Sequence, residues 1–132
     1  MNQNINNTLN EITEIHLSLK EVYQKLSEEA TGEQQQHYKA KQEHFEALSK
    51  EMIQLIYNLG GKYIECKNPT EHELQDLMAM ISNKKDTVSL EKVVEKTDEF
   101  KKMAREKYDT VLHEHQFSQD EEELLKNHIH QL

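Results

Sequence analysis

The sequence predicts an all-α protein, one domain over residues 1–132 that folds as an antiparallel four-helix bundle with a short third helix and a short C-terminal fifth helix. The 132 residues include only three glycines and one proline, and a chain with so few residues that interrupt helices is mostly long helices. Apolar residues recur in steps of three and four, and no run alternates apolar and polar residues as a half-buried strand does. Capping signals divide the chain into five segments.

The first helix is expected from about Ile5 to Ala30. Its apolar seam follows the three-four spacing of helices in antiparallel bundles and comprises Ile5, Leu9, Ile12, His16, Leu19, Tyr23 and Leu26. The turn that follows is short, so the first two helices should form an antiparallel hairpin.

The second helix is expected over Thr31–Gly61. Thr31 and Gln34 have the spacing of a capping box, in which each side chain bonds a free backbone N–H at the helix start. Gly60 and Gly61 should end the helix, one of them at positive φ, because a residue without a Cβ enters the left-handed region at low cost.

A third, shorter helix should follow the loop that begins at Lys62. Pro69 prevents helix continuity, and Thr70 with Glu73 has the spacing of a second capping box. This helix should end near Asn83–Asp86, which makes it about half as long as its neighbours. One end of the bundle groove is therefore under-filled, and either the tail helix or a second subunit should cover it.

The fourth helix should begin near Ser89 and carry its apolar seam to Val111, or as far as His115. Ser118 and Glu121 form a third capping-box pattern. That pattern should start the fifth helix, which carries Leu124, Leu125 and Ile129.

The charge balance constrains the partners. There are 16 basic and 25 acidic residues, a net charge of -9, which argues against nucleic-acid partners and anionic membranes because both are bound through clustered Lys and Arg.

No apolar run reaches the roughly 20 residues that span a bilayer, and the N-terminus lacks a signal-peptide pattern. Cys66 is the single cysteine, excludes an internal disulfide and has no catalytic partner nearby in sequence. We therefore expect a cytoplasmic protein.

Three stretches carry a family resemblance. They are FEALSKEMIQLIYNLGGKY at the end of the second helix, LKEVYQKLSEEA in the first, and Tyr108 with Leu112 followed by SQDEEELLKNHIHQL. In order and spacing the chain resembles a ferritin-like family of small bacterial proteins, a domain of unknown function. The resemblance implies a four-helix bundle, and the family's name implies a di-metal site of iron or manganese.

Di-metal bundles place one Glu on each of two helices and Glu-x-x-His on each of the other two. No Glu in this chain is followed by His three residues later, and the nearest pairs are Glu33 with His37 and Asp109 with His113, both at i, i+4. A metal site would therefore need an unorthodox ligand set, for which the candidates are His16, Glu46, Asp109 and His113.

His16 lies on the core seam, where three roles are open. It can be a buried neutral imidazole that donates its N–H to Glu46, a metal ligand, or a packing residue sensitive to pH. A phosphotransfer histidine is followed by x-Leu-Lys-Gly, whereas here Leu19 and Lys20 are one residue out of register and the glycine is missing.

Four further histidines lie in the last twenty residues: His113, His115, His128 and His130. Within each pair the spacing is i, i+2, which does not share one helix face. We expect a solvated polar tail, with adventitious divalent-metal binding as the alternative.

Two functions follow from these patterns. The first is a non-enzymatic interaction or self-assembly protein, most simply a homodimer or the binder of a protein partner, motivated by the missing Glu-x-x-His motifs and the short third helix. The alternative is a metal-dependent oxidoreductase or a metal-storage protein that binds iron, manganese or zinc through the unorthodox ligand set.

Overall fold

The protein is all-helical over the residues that its computed structural model describes, which are 2–64, 71–83 and 87–132. No strand occurs in these ranges. The helices, in chain order, are α1 (Gln3–Glu29), α2 (Gly32–Asn58), α3 (Glu71–Asn83), α4 (Thr87–Glu114) and α5 (Gln119–His130). The all-α class and the five predicted helices are confirmed.

Helix α1 is the centre of the fold, because it lies against α2, α3 and α4. Every residue of its predicted seam is buried, with Leu9, Ile12, His16 and Leu19 each 0 % exposed. Burial of this apolar stripe is the main stabilising contribution, at about 25 cal/mol for each Å² of apolar surface removed from water.

Helices α1 and α2 form the predicted hairpin. At its turn the Gln35 side chain donates to the Ser27 carbonyl over 3.1 Å. The predicted Thr31–Gln34 capping box is wrong, since Thr31 makes no side-chain cap bond. The chain turns instead at Gly32, whose φ of 64° lies in the left-handed region, and the Gln34 amide donates to Tyr38.

The predicted stop of α2 is confirmed as a Schellman motif. Gly60 has a φ of 82°. Its N–H donates to the Tyr57 carbonyl over 3.0 Å, and the Gly61 N–H donates to the Ile56 carbonyl over 2.9 Å. These two bonds satisfy carbonyls that the helix end would otherwise leave free.

The segment after α2, residues 61–64, returns to the N-terminal half of α1, where the Asn10 side chain makes two hydrogen bonds to its backbone. The Asn10 amide donates to the Lys62 carbonyl over 3.1 Å, and the Ile64 N–H donates to the Asn10 side-chain oxygen over 2.8 Å. The predicted features at Cys66, Pro69 and Thr70, and the linker 84–86, lie outside the described residues.

Helices α4 and α5 begin close to their predicted positions. Helix α4 starts at Thr87, two residues before the expected Ser89. The Ser118–Glu121 capping box of α5 is confirmed, because the Ser118 hydroxyl accepts from the Glu121 N–H and the Glu121 carboxylate accepts from the Ser118 N–H.

Helix α5 lies in the space between α2 and α4, which we call the α2–α4 slot. Its His128 bonds both Glu51 on α2 and Tyr108 on α4, and the Gln131 carbonyl just beyond it bonds His44 on α2. Helix α5 fills the slot at this level only. Toward the N-terminal halves of α2 and α4 the slot is open.

Candidate functional site

A buried chain of four hydrogen-bonded side chains joins four helices, and we call it the polar chain. His16 Nε2 of α1 lies 2.6 Å from the Tyr108 hydroxyl of α4, which lies 2.8 Å from His128 Nδ1 of α5. His128 Nε2 lies 2.7 Å from the carboxylate of Glu51 on α2. His16, Tyr108 and His128 are each 0 % exposed, whereas the Glu51 side chain is 50 % exposed.

Helical spacing explains how these residues meet. His16 and Tyr108 lie on the apolar seams of α1 and α4, so both side chains enter the core. On α5, His128 is three residues after the buried Leu125 and therefore shares its inward face. Glu51 precedes the buried Met52 on α2 and reaches the slot from its edge.

The donors and acceptors at each atom determine where the protons of the polar chain lie. A carboxylate only accepts, so His128 Nε2 carries a proton and donates to Glu51. Neutral His128 then accepts at Nδ1 from the Tyr108 O–H, and the Tyr108 oxygen accepts from the Nε2–H of His16. This assignment leaves His16 Nδ1 as a bare lone pair, and that buried atom has no hydrogen-bond partner among the described residues.

Burial keeps all three inner groups uncharged. Burial, reinforced by the imidazoles of His128 and His44, lowers the pKa of His16 to about 3. Burial also lowers the pKa of His128, although the hydrogen bond and charge of Glu51 act in the opposite direction. The pKa of Tyr108 is raised well above its usual value by burial and by the Glu51 charge. At neutral pH the chain therefore consists of neutral rings ending at a surface carboxylate.

Aromatic contacts connect the polar chain to the open half of the slot. The His16 ring stacks on Phe45, with centroids 6.0 Å apart, and Phe45 stacks on Tyr23 at 5.7 Å with nearly parallel planes. Lys101 lies 5.7 Å from the Tyr23 ring centroid and donates to its hydroxyl over 3.2 Å. This packing fixes the ammonium of Lys101 at the edge of the opening.

The open half of the slot is a groove of about 490 Å³ between α2 and α4, floored by α1. Its apolar lining comprises Tyr23, Leu26, Tyr38, Val93 and Val94. Its rim carries His37, Lys41 and Lys101 against the single carboxylate of Asp98. Val94 is 56 % exposed and extends the apolar surface of this groove toward solvent.

The structure does not bring the four candidate metal ligands together. His16 is enclosed against Tyr108, while Asp109 and His113 are exposed on α4. Glu46 pairs with Lys20 at 3.8 Å and with Lys50 at 3.7 Å, so the expected His16–Glu46 bond is not formed. Within the described ranges no group of three or more His, Cys, Asp or Glu side chains is arranged to hold a metal ion.

These residues as placed do not fit a di-metal centre. Metal binding stays a prediction that rests on the family resemblance. Phosphotransfer through His16 conflicts with its burial, because the imidazole is 0 % exposed and a partner must reach it.

Sequence reasoning missed half of the polar chain. His128 was expected in a solvated tail, yet it is fully buried, while His130 two residues later is exposed, as the i, i+2 spacing requires. The spacing of His128 from Leu124 and Leu125 was the available signal, the same one that placed His16 on a seam. Glu51 carried no comparable signal, since it is one of many acidic residues on exposed helix faces.

No helix in the described part of the chain is both long enough and apolar enough to cross a membrane. Comparison of the chain with protein-family models, with curated proteins and with solved structures gives no match.

Proposed function

We propose that this chain is a non-enzymatic interaction protein, a ferritin-like antiparallel four-helix bundle that self-associates as a homodimer through the open half of the α2–α4 slot. The observation that carries the proposal is the contrast between the two halves of that slot. One half is closed by α5, and the other is an apolar groove beside the exposed Val94.

Continuity with the α5 site supports a helical occupant. The same two helices that flank the groove accept α5 a few turns further along, so the slot has the width of a helix there. The first half of α2 buries no residue before Phe45, although it runs beside the groove. A helix that leaves this much of its inner side uncovered has room for a partner.

Charge supports a second copy of this chain as that partner. The groove rim holds Lys41 and Lys101 against one carboxylate, Asp98, in a chain whose net charge is -9. In a two-fold interface each patch meets itself, and a patch with both signs can pair lysine of one copy with aspartate of the other. The acidic surface elsewhere repels itself, which opposes two-fold association through other patches.

The polar chain supports a structural role for the buried histidines. Its only exposed member is Glu51, and its inner bonds are all made within the protein. Such a chain orders the meeting point of four helices, because its three hydrogen bonds fix which side chains meet there.

The test is the molar mass in solution. Light scattering coupled to size exclusion should give twice the chain mass of 15.6 kDa for the wild type. Val94→Asp should give a monomer, because it places a charge in the groove at a position exposed enough to leave folding intact. The matched control is Tyr57→Asp, which changes another large apolar residue, 55 % exposed, outside the groove lining. This variant should remain a dimer.

Two results would overturn the proposal. One is a wild-type monomer at every accessible concentration. The other is a dimer that survives Val94→Asp, and its dissociation with Tyr57→Asp would place the interface at the opposite end of α2.

A further inference from the structure

The polar attachment of α5 depends on one titratable residue, while Leu124, Leu125 and Ile129 pack the helix against the core. Only Leu125 and His128 of α5 are fully buried. The hydrogen bonds that α5 and its C-cap residue make to other helices are His128 to Tyr108, His128 to Glu51, and Gln131 to His44, among the described contacts. Imidazoles therefore take part in each of these bonds.

We propose that the polar chain is an acid-sensitive latch, which holds α5 in the α2–α4 slot at neutral pH and releases it at mildly acidic pH while α1 to α4 stay folded. The inference concerns α5 itself and goes beyond the proposed function, since it holds whether or not the chain self-associates.

The proton count of the polar chain is the reason. Three protons fill its three bonds: one on His16 Nε2, one on Tyr108 and one on His128 Nε2. A further proton on His128 Nδ1 must point at the Tyr108 oxygen, so the Tyr108 O–H has to turn away. It can then point only toward His16 Nε2, which already carries a proton.

Neither way of accommodating that proton satisfies the chain. If His16 moves its own proton to Nδ1, the proton lies on a buried atom that has no partner among the described residues. If His16 keeps its proton on Nε2, the Tyr108 O–H is left without an acceptor. A buried donor without an acceptor is costly, and leaving the slot lets His128 charge in water.

The groups that face His128 add to this effect. They are His16 from α1, with ring centroids 6.0 Å apart, His44 and Glu51 from α2, and Tyr108 from α4. The Glu51 carboxylate favours a charged His128 in place. Glu51 is half exposed, so solvent weakens its attraction, whereas burial and the imidazole of His44 oppose the charge.

Release can be followed with one tryptophan, because the natural chain has none. Leu132→Trp puts a reporter at the partly buried residue that follows α5 and packs against the core. Far-UV circular dichroism reports the bundle separately, since α5 contributes only 12 helical residues. We expect the emission to shift to the red as the pH falls below about 6.5, where a free imidazole charges, with most of the helical signal retained.

Paired variants assign the transition. In the reporter background, His128→Gln keeps a donor for Glu51 and cannot charge, so α5 should stay docked at a pH that releases it from the parent. His130→Gln changes an exposed histidine on the same helix and should behave as the parent. The unsubstituted protein provides a second test, which does not depend on whether α5 docks in His128→Gln. There, the NMR titration of the His128 ring should coincide with the loss of α5 contacts.

Several outcomes would overturn the latch. They are loss of the reporter signal and the helical signal in one transition, release of α5 from His128→Gln at the parental pH, or titration of His128 while α5 stays in place.

Discussion

Removal of the Tyr108 hydroxyl, a single oxygen atom, should lower the free energy of unfolding by far more than the loss of one surface hydroxyl would. In Tyr108→Phe the ring still fills the core, and two hydrogen bonds of 2.6 and 2.8 Å are lost. His16 Nε2–H and His128 Nδ1 then stay buried as a donor and an acceptor without partners.

The magnitude follows from burial. A typical hydrogen bond contributes about 1 kcal/mol net, and a buried polar group left unpaired costs about 1–3 kcal/mol. With two such groups on rings that are 0 % exposed, we expect the free energy of unfolding to fall by about 3 kcal/mol. That is a large fraction of the roughly 5–15 kcal/mol that stabilises a domain.

The assay is urea unfolding at neutral pH, followed by circular dichroism. The matched control is Tyr38→Phe, which removes a hydroxyl that accepts one bond from Gln34 over 3.1 Å at an exposed site. This control should lose less than about 0.5 kcal/mol. A loss below about 1 kcal/mol for Tyr108→Phe would mean that the Tyr108 hydroxyl does not make the two buried hydrogen bonds to His16 and His128.

Three further outcomes are expected. The folded pKa of His16, about 3, lies below the unfolded value of about 6.5, so protonation of the unfolded chain lowers the free energy of unfolding as the pH falls below 6.5. For as long as His16 stays buried, the free energy of unfolding of the wild type should fall between pH 7 and pH 4.5 by about 3 kcal/mol more than that of His16→Gln. Gly60→Ala should lower the free energy of unfolding by about 1 kcal/mol in thermal or urea unfolding, because a Cβ is disfavoured at a φ of 82°, and no clash adds to this since no atom lies within 4 Å of the added Cβ. Gly61→Ala should be milder, and equal losses would contradict the assignment of Gly60 as the residue that ends α2. Metal analysis after reconstitution with iron, manganese or zinc should find well under one ion per chain, since the described residues offer no group of three ligands; a stoichiometric ion would support the metal-dependent alternative.

Most of the helices could be predicted from local pattern. The seam of α1 and the corner at Gly60 were visible because helical periodicity and the left-handed region are properties of short stretches of chain. The capping box at Thr31 failed because the neighbouring Gly32 offered the hairpin a tighter turn. Local competition of this kind is not resolved by residue type alone.

The candidate site was only half predictable. His16 was visible as a polar residue on an apolar seam, but its partner is Tyr108, 92 residues away, and not the expected Glu46. Which side chains meet across the bundle depends on the relative rotation and height of four helices. The position of α5 in the slot, which buries His128, is likewise set by tertiary packing.

The most direct test of self-association through the groove is hydrogen exchange, measured by mass spectrometry at a low and a high protein concentration. We expect slower exchange at high concentration in peptides that cover 32–44 of α2 and 91–101 of α4, with the rest of the described chain unchanged and with the difference abolished in Val94→Asp. Concentration-independent exchange in both peptides, or protection confined to another surface, would contradict the proposal.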